Sequence, residues 1–322
     1  MDFQILISNI TNPTLLFFLL GILAAVIRSD LQIPTSTSKF ISLYLLFSIG
    51  FKGGQELAHG GFSAEIGNSL LFGLALSSLI PVYSFFIVRQ KLSVSDSGAV
   101  AASLGSVSAV TFVSAAAFLE AQNIRFGAHM VAVMALMESP AIIVGVVLMM
   151  KFREKEGGER VKMKSVFHHA LTNGSVVIIL GSLLIGMIAD SKQAEGIKPF
   201  TADIFKGFLA IFLLEMGMVT ARRFAAFRKY GAFISICALA IPAFNGCLTA
   251  YLSGFISQET GNRFIFAILA ASASYIAVPA AMRLAAPKAD PGLYIPMALG
   301  VTFPFNITLG MPLYMAVIEA SS

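Results

Sequence analysis

GSVSAVTFVSAAAF, residues 105–118, lies between long apolar runs and carries four hydroxyls, Ser106, Ser108, Thr111 and Ser114, with one glycine and no charge. A lipid-facing helix has no use for such a row. Two physical readings compete. Small residues let membrane helices approach closely, and serine or threonine can bond back to its own helix. A helix that breaks inside the bilayer exposes N–H groups at one end and C=O groups at the other, and these must be met by protein, water or ligand. A second stretch of the same character, SASYIAVPAAMR at residues 272–283, favours the break. Its Pro279 lacks the N–H that would continue a helical ladder.

The surroundings fix the class. The chain has 322 residues, of which 57% are hydrophobic and 12% charged. Soluble domains carry about 25% charged residues, so the composition describes a polytopic helical membrane protein. The two cysteines, Cys237 and Cys247, share one apolar run and suggest neither a disulfide framework nor a metal site. The net charge of +5 is concentrated in loops and carries no nucleic-acid signal. The first ten residues, MDFQILISNI, lack a basic segment, so the first apolar run is expected to be retained.

Apolar runs separated by polar breaks predict ten crossings, at 13–28, 38–52, 66–88, 97–119, 128–150, 172–189, 203–220, 230–256, 263–282 and 292–317. With an external N-terminus, 16 basic residues fall on the cytoplasmic side. They are Arg28, Lys39, Arg89, Lys91, Lys151, Arg153, Lys155, Arg160, Lys162, Lys164, Arg222, Arg223, Arg228, Lys229, Arg283 and Lys288. Six fall outside: Lys52, Arg125, Lys192, Lys198, Lys206 and Arg263. That asymmetry supports ten crossings with both termini outside the cell inner membrane.

The polar segment around KFREKEGGERVKMKSVFHH divides the chain into 1–150, a cytoplasmic linker at 151–171, and 172–322. The two halves resemble each other. GILAAVIRSD (21–30) aligns with GSLLIGMIAD (181–190), and KFISLYLLFSIG (39–50) with KGFLAIFLLEMG (206–217). AASLGSVSAVTFVS (101–114) aligns with AASASYIAVPAAMR (270–283), and ESPAIIVGV (138–146) with TFPFNITLG (302–310). Five crossings per half is odd, so the second copy must enter the membrane upside down. The predicted fold is all-α, with ten transmembrane helices in two inverted five-helix repeats and broken fourth and ninth helices. Substrate sites in such folds lie near mid-membrane, between broken helices.

Partial positive charge at helix N-termini suits an anion there. Gly105 and its small neighbours permit irregular backbone, and Ser106, Ser108 and Thr111 can complete a polar shell. Ser272, Ser274 and Tyr275 do the same in the second half. Charges inside a bilayer need reasons. Glu138 lies near the middle of the fifth crossing, two residues before Pro140, and its repeat partner holds Thr302, Asn306 and Thr308. These oxygens suit a hard cation such as sodium. Glu215, in LLEMGM, reads as an inner-half interhelix contact or an aqueous-cavity residue. His59, His129, His168 and His169 have no metal-binding spacing.

FSIGFKGGQELA, GSVSAVTFVSAAAFLE, MESPAIIVGV, LLEMGM, AASASYIAVPAAMR and YIPMALGVTFPFNI together resemble the sodium-dependent bicarbonate permease family, in order, from about residue 13 to 317. The resemblance implies gate and core domains, sodium-coupled uptake of bicarbonate by a moving core, a homotrimer and a cytoplasmic PII-like regulator. The core would hold the third to fifth helices of each half and the gate the first two. The implied anion contacts fall on Ser106, Ser108, Ala109, Thr111, Ile276 and Ala277. Sodium would fall near Ser272, Ser274 and Glu138, with Thr302 and Asn306 of the repeat partner. The chain departs from the family pattern at Ala109–Val110, where Gly-Ser is expected, and at Tyr275 and Glu138, where aspartates are expected.

A cation/proton antiporter, or a symporter for another organic acid, shares the broken-helix pattern. An antiporter would centre on Glu138. An intramembrane enzyme would need a His–Ser pair, an aspartate pair or an H-E-x-x-H motif, and the sequence holds none within its apolar runs. A receptor or scaffold has no need of an inverted repeat.

Overall fold

The computed structural model describes residues 13–60, 63–154, 168, 172, 174–227 and 230–321. Most of the predicted linker, residues 155–167, lies outside this set. Among the described residues the protein is helical, with no strand. The first half comprises α1 (Pro13–Val26), α2 (Thr35–Gly60), α3 (Ala64–Val88), α4 (Val94–Gly105), α5 (Ala109–Ala121) and α6 (His129–Glu154). The second comprises α7 (Gly174–Ile188), α8 (Phe205–Phe227), α9 (Gly231–Leu252), α10 (Thr260–Ala271), α11 (Ala277–Ala285) and α12 (Pro291–Ala320). α12 is interrupted by two π-turns, Ala298–Thr302 and Asn306–Gly310.

Six stretches are long and apolar enough to cross a membrane: α3, α4 with α5, α6, Pro199–Phe224, Gly231–Phe255 and α12. Leu16–Val26, Gly174–Ile188 and Thr260–Ala271 are apolar but shorter. α2 carries Lys39, Lys52 and Glu56 among its 26 residues. The outward side chains of α1 and α7 are large and apolar, Leu23, Val26, Leu184 and Ile188 among them. In water such a surface would cost free energy at every side chain; against acyl chains it costs none.

Glycines set the tightest helix contacts. α1 lies along α8, and α2 along α7. A Cβ at Gly21 would collide with the Leu214 carbonyl, and one at Gly217 with the Phe18 carbonyl. Likewise a Cβ at Gly54 would meet the Leu183 carbonyl, and one at Gly186 the Phe51 carbonyl. Only glycine permits backbones this close, and close approach is the main source of helix association in lipid.

The remaining helices form two packed sets. α3, α4 and α6 pack mutually, as do α9, α10 and α12. Pro81 inside α3 lies against Gly105 at the end of α4, where an added Cβ would stand 2.5 Å from the Pro81 Cδ. Tyr83 of α3 donates a hydrogen bond to Asn245 Oδ1 of α9, tying the two sets together. Each set thus holds one interrupted crossing and presses it toward the other.

Candidate functional site

The helix stops at Gly105 and restarts at Ala109; in the second half it stops at Ala271 and restarts at Ala277. Ser106 and Ser108 adopt extended backbone, with φ/ψ of −88/146 and −106/110. Ser272 is extended as well, at −78/166. Gly105 packs between Pro81 and Ala141, where any side chain would be excluded.

The two breaks touch through their backbones. The Ser274 N–H donates to the Ser103 carbonyl at 2.8 Å. In return the Ser103 hydroxyl donates to the Ser274 carbonyl at 2.7 Å. The Ser108 N–H donates to Ser272 Oγ at 3.0 Å, and Ser272 Oγ donates to the Leu269 carbonyl at 2.8 Å. The Ser106 hydroxyl donates to the Glu138 carbonyl at 3.0 Å, one residue before Ser139–Pro140 in α6. Ser108 Oγ caps α5 by accepting the Thr111 N–H at 3.3 Å. Ser114 bonds back to the Val110 carbonyl at 2.9 Å. All of these residues are buried, so each bond spares a polar group the cost of orphaning, about 1–3 kcal/mol.

The last carbonyls of α10 are satisfied by protein, and at the end of α4 those of Ala102 and Ser103 are met by the Ser106 and Ser274 N–H groups. Asn306 Nδ2 donates to the Ala271 carbonyl at 2.8 Å, and Asn245 Nδ2 to the Ala270 carbonyl at 3.2 Å. Asn306 is held in turn by the Tyr314 hydroxyl, which donates to its Oδ1 at 2.9 Å. The amino ends differ. α11 has no side-chain cap at Ile276. Among the described residues no acceptor meets the first N–H groups of α5, at Ala109 and Val110. Beside the two joined breaks, the first N–H groups of α5 and of α11, at Ile276 and Ala277, thus have no acceptor among the described residues. An anion fits such donors and a cation does not.

Ser108 bonds to Ser272 and Ser103 to Ser274, which joins the two breaks in one unit; Ser106, between Ser103 and Ser108 in the chain, bonds to the Glu138 carbonyl, and Asn306 to the Ala271 carbonyl. Thr302 stands apart from this unit: its hydroxyl donates to the Ala238 carbonyl of α9 at 2.8 Å. The Glu138 side chain is 9% exposed, and no described residue hydrogen-bonds to its carboxylate. Among the described residues no cluster of three His, Cys, Asp or Glu side chains could hold a metal ion. Two contributors escaped sequence reading, Ser103 and Asn245. Asn245 had a readable signal, since an amide three residues after Pro242 inside an apolar helix needs a partner.

The sequence model of the Na+-dependent bicarbonate transporter superfamily matches residues 13–319, nearly the whole chain. The chain belongs to this family. No curated protein matches it. Membership makes it a multi-pass membrane transport protein of a sodium-dependent family whose transported solute is bicarbonate. The free N–H groups at the crossing point are chemically matched to that solute, a small singly charged oxyanion.

Proposed function

We propose that this member of the bicarbonate transporter family is a sodium-coupled symporter that moves bicarbonate, or a similar small anion, by alternating access. One observation carries the reading: two interrupted crossings are bonded to each other at their breaks, and the first N–H groups of the helices that restart there, at Ala109 and Val110 and at Ile276 and Ala277, have no acceptor among the described residues. The anion sits between the N-termini of α5 and α11, against the N–H groups of Ala109, Ile276 and Ala277 and beside Thr111. Ser106 and Ser108 brace this cradle more than they line it, since their side chains already hold the Glu138 carbonyl and the Thr111 N–H. Sodium belongs beside Glu138, Ser272, Ser274 and Asn306, where a carboxylate, hydroxyls and an amide supply hard oxygen donors. Thr302 supports α12 from its bond to α9.

Alternating access needs two bodies. α1, α2, α7 and α8 form the gate, and the sets containing α3–α6 and α9–α12 form the core. The halves 1–150 and 172–322, joined by the linker 151–171, are read as ten crossings in two inverted repeats. The glycine contacts support this. Gly21 and Phe18 meet Leu214 and Gly217, while Gly186 and Leu183 meet Phe51 and Gly54. Exchanging the halves turns one set into the other. That symmetry pairs Gly21 with Gly186, about one helical turn from Gly181, and Gly217 with Gly54 instead of Gly50. Both termini lie outside the inner membrane by the charge asymmetry. A homotrimer and a PII-like cytoplasmic regulator are further expectations of the family likeness.

Uptake of labelled bicarbonate into proteoliposomes tests the reading. An inward sodium gradient should raise uptake several-fold over an equal potassium gradient. Equal, background uptake under both would reject it. Substituting Glu138→Gln separates symport from proton antiport: pH-gradient-driven flux that depends on Glu138 and ignores sodium would favour the antiporter.

A further inference from the structure

Two hydrogen bonds fasten the far ends of the interrupted crossings. Asp96 is the third residue of α4, and Asn262 the third of α10. Asp96 Oδ1 accepts the backbone N–H of Asp290, the residue before α12, at 2.8 Å. Asn262 Oδ1 accepts the backbone N–H of Gly127, two residues before α6, at 2.6 Å. Each bond crosses from one half of the chain to the other. Each arrangement also reaches the start of a third helix. Tyr230, just before α9, donates its hydroxyl to Asp290 Oδ2 at 2.5 Å. Asn262 Nδ2 donates to Glu65 Oε1, in the first turn of α3, at 3.2 Å. A serine from the preceding connection completes each clamp. The Ser93 hydroxyl donates to Asp96 Oδ2 at 2.7 Å, and Ser257 Oγ accepts from Asn262 Nδ2 at 3.1 Å.

Swapping the halves converts one clamp into the other. The start of α4, the start of α9 and the lead into α12 make the first. The start of α10, the start of α3 and the lead into α6 make the second. Packing of apolar helices alone gives no reason for a side-chain acceptor to recur at the same helix position, on the same backbone target, in both halves. The backbones are close at both clamps. A Cβ at Gly261 would collide with the Arg125 carbonyl, and one at Gly292 would stand 2.9 Å from both Asp290 Oδ1 and the Tyr230 hydroxyl oxygen. The helices reached in this way carry site residues. α6 holds Glu138, and α12 holds Asn306, whose amide meets the Ala271 carbonyl.

We propose that Asp96 and Asn262 are positioning residues for transport, each setting the helix that carries a site residue, α12 or α6, along the interrupted crossing of the opposite half. The inference deepens, and rests on, the sodium-coupled reading above. With the Ser103–Ser274 bonds at the centre, each crossing is held both at its far end and at its break. Glu138 and Asn306 then keep a fixed height against the broken crossings. The effect acts through helix position, and neither Asp96 nor Asn262 touches the solute. The two clamps differ in charge. The Asp96 carboxylate only accepts, and an amide oxygen would serve there as well. Asn262 must also donate to Glu65, and a carboxylate in its place would stand against another carboxylate.

Sodium-gradient uptake of labelled bicarbonate by proteoliposomes tests this, with the half-saturating sodium concentration and the maximal rate read separately. Asp96→Ala and Asn262→Ala should each raise that concentration about threefold or more, and the double variant should raise it further. Asp96→Asn should behave like wild type. Asn262→Asp should be as impaired as Asn262→Ala, and adding Glu65→Gln should restore it. A lower melting temperature is expected of any lost bond. The sodium shift, and the opposite responses of positions 96 and 262 to a change of charge, are expected only of positioning. Monodisperse elution establishes that each variant is folded. If the alanine variants do not fold, Asp96→Asn and Asn262→Asp, the latter with and without Glu65→Gln, carry the test. Folded alanine variants with the wild-type half-saturating sodium concentration overturn the inference. So does an Asn262→Asp defect that Glu65→Gln leaves in place. Wild type without any sodium-driven uptake would reject the symporter reading itself, and this inference with it.

Discussion

Ser103 and Ser274, 171 positions apart in the chain, exchange two hydrogen bonds, N–H to carbonyl at 2.8 Å one way and hydroxyl to carbonyl at 2.7 Å the other. The pair welds the end of α4 to the break before α11. It fixes one break against the other, and so sets the spacing that the proposed anion cradle between α5 and α11 would depend on.

Ser103→Ala removes the hydroxyl and leaves the buried Ser274 carbonyl without its donor. A loss of about 1–3 kcal/mol of stability is expected. The melting temperature in detergent should fall, and the bicarbonate KM should rise. Ser103→Thr, which keeps the donor, should restore part of both. An unchanged KM with Ser103→Ala would separate the weld from substrate binding.

Gly21→Val and Gly217→Val should be far more damaging than Gly181→Ala. The first two place atoms against the backbone of the facing helix, which cannot yield without separating α1 from α8. Gly181 has open space where a Cβ would go. Overpacking of this kind costs about 1–3 kcal/mol and sometimes more. Membrane yield and thermal melts of the three variants should rank accordingly.

Lys206, at the start of α8, forms a 2.9 Å ion pair with Glu120, at the end of α5. The two side chains are 64% and 59% exposed, so the pair adds at most about 1 kcal/mol to stability. It nonetheless bridges α8 and α5, which the proposed function assigns to different moving bodies. Lys206→Glu should leave the melting temperature nearly unchanged and alter turnover. Adding Glu120→Lys should restore the turnover. High salt should make wild type resemble the single variant, since the pair is open to screening.

Glu138→Gln keeps the shape of the side chain and removes its charge. The half-saturating sodium concentration for uptake should rise at least about tenfold. Bicarbonate binding measured at saturating sodium should change little, because the Ser106 bond is to the Glu138 carbonyl and survives the substitution. Sodium dependence equal to wild type would remove Glu138 from the cation site.

Much of this protein was legible one stretch at a time. Membrane class follows from apolar runs and scarce charge, because bilayer insertion is decided by local hydropathy. The breaks at 105–109 and 271–277 announced themselves through glycine, proline and clustered hydroxyls, since these residue types both permit and repair an interrupted helix. What sequence could not supply was partnership. Ser103, Asn245 and Thr302 look alike as isolated polar residues in apolar helices. Only packing assigned Ser103 to the other break, Asn245 to the end of α10 and Thr302 to α9. Only packing paired Gly21 with Leu214 and brought Tyr275 up to Met216. The reason is physical. Apolar helices match one another in many registers at nearly equal cost, and the choice among registers is made by backbone collisions and buried hydrogen bonds between residues far apart in the chain.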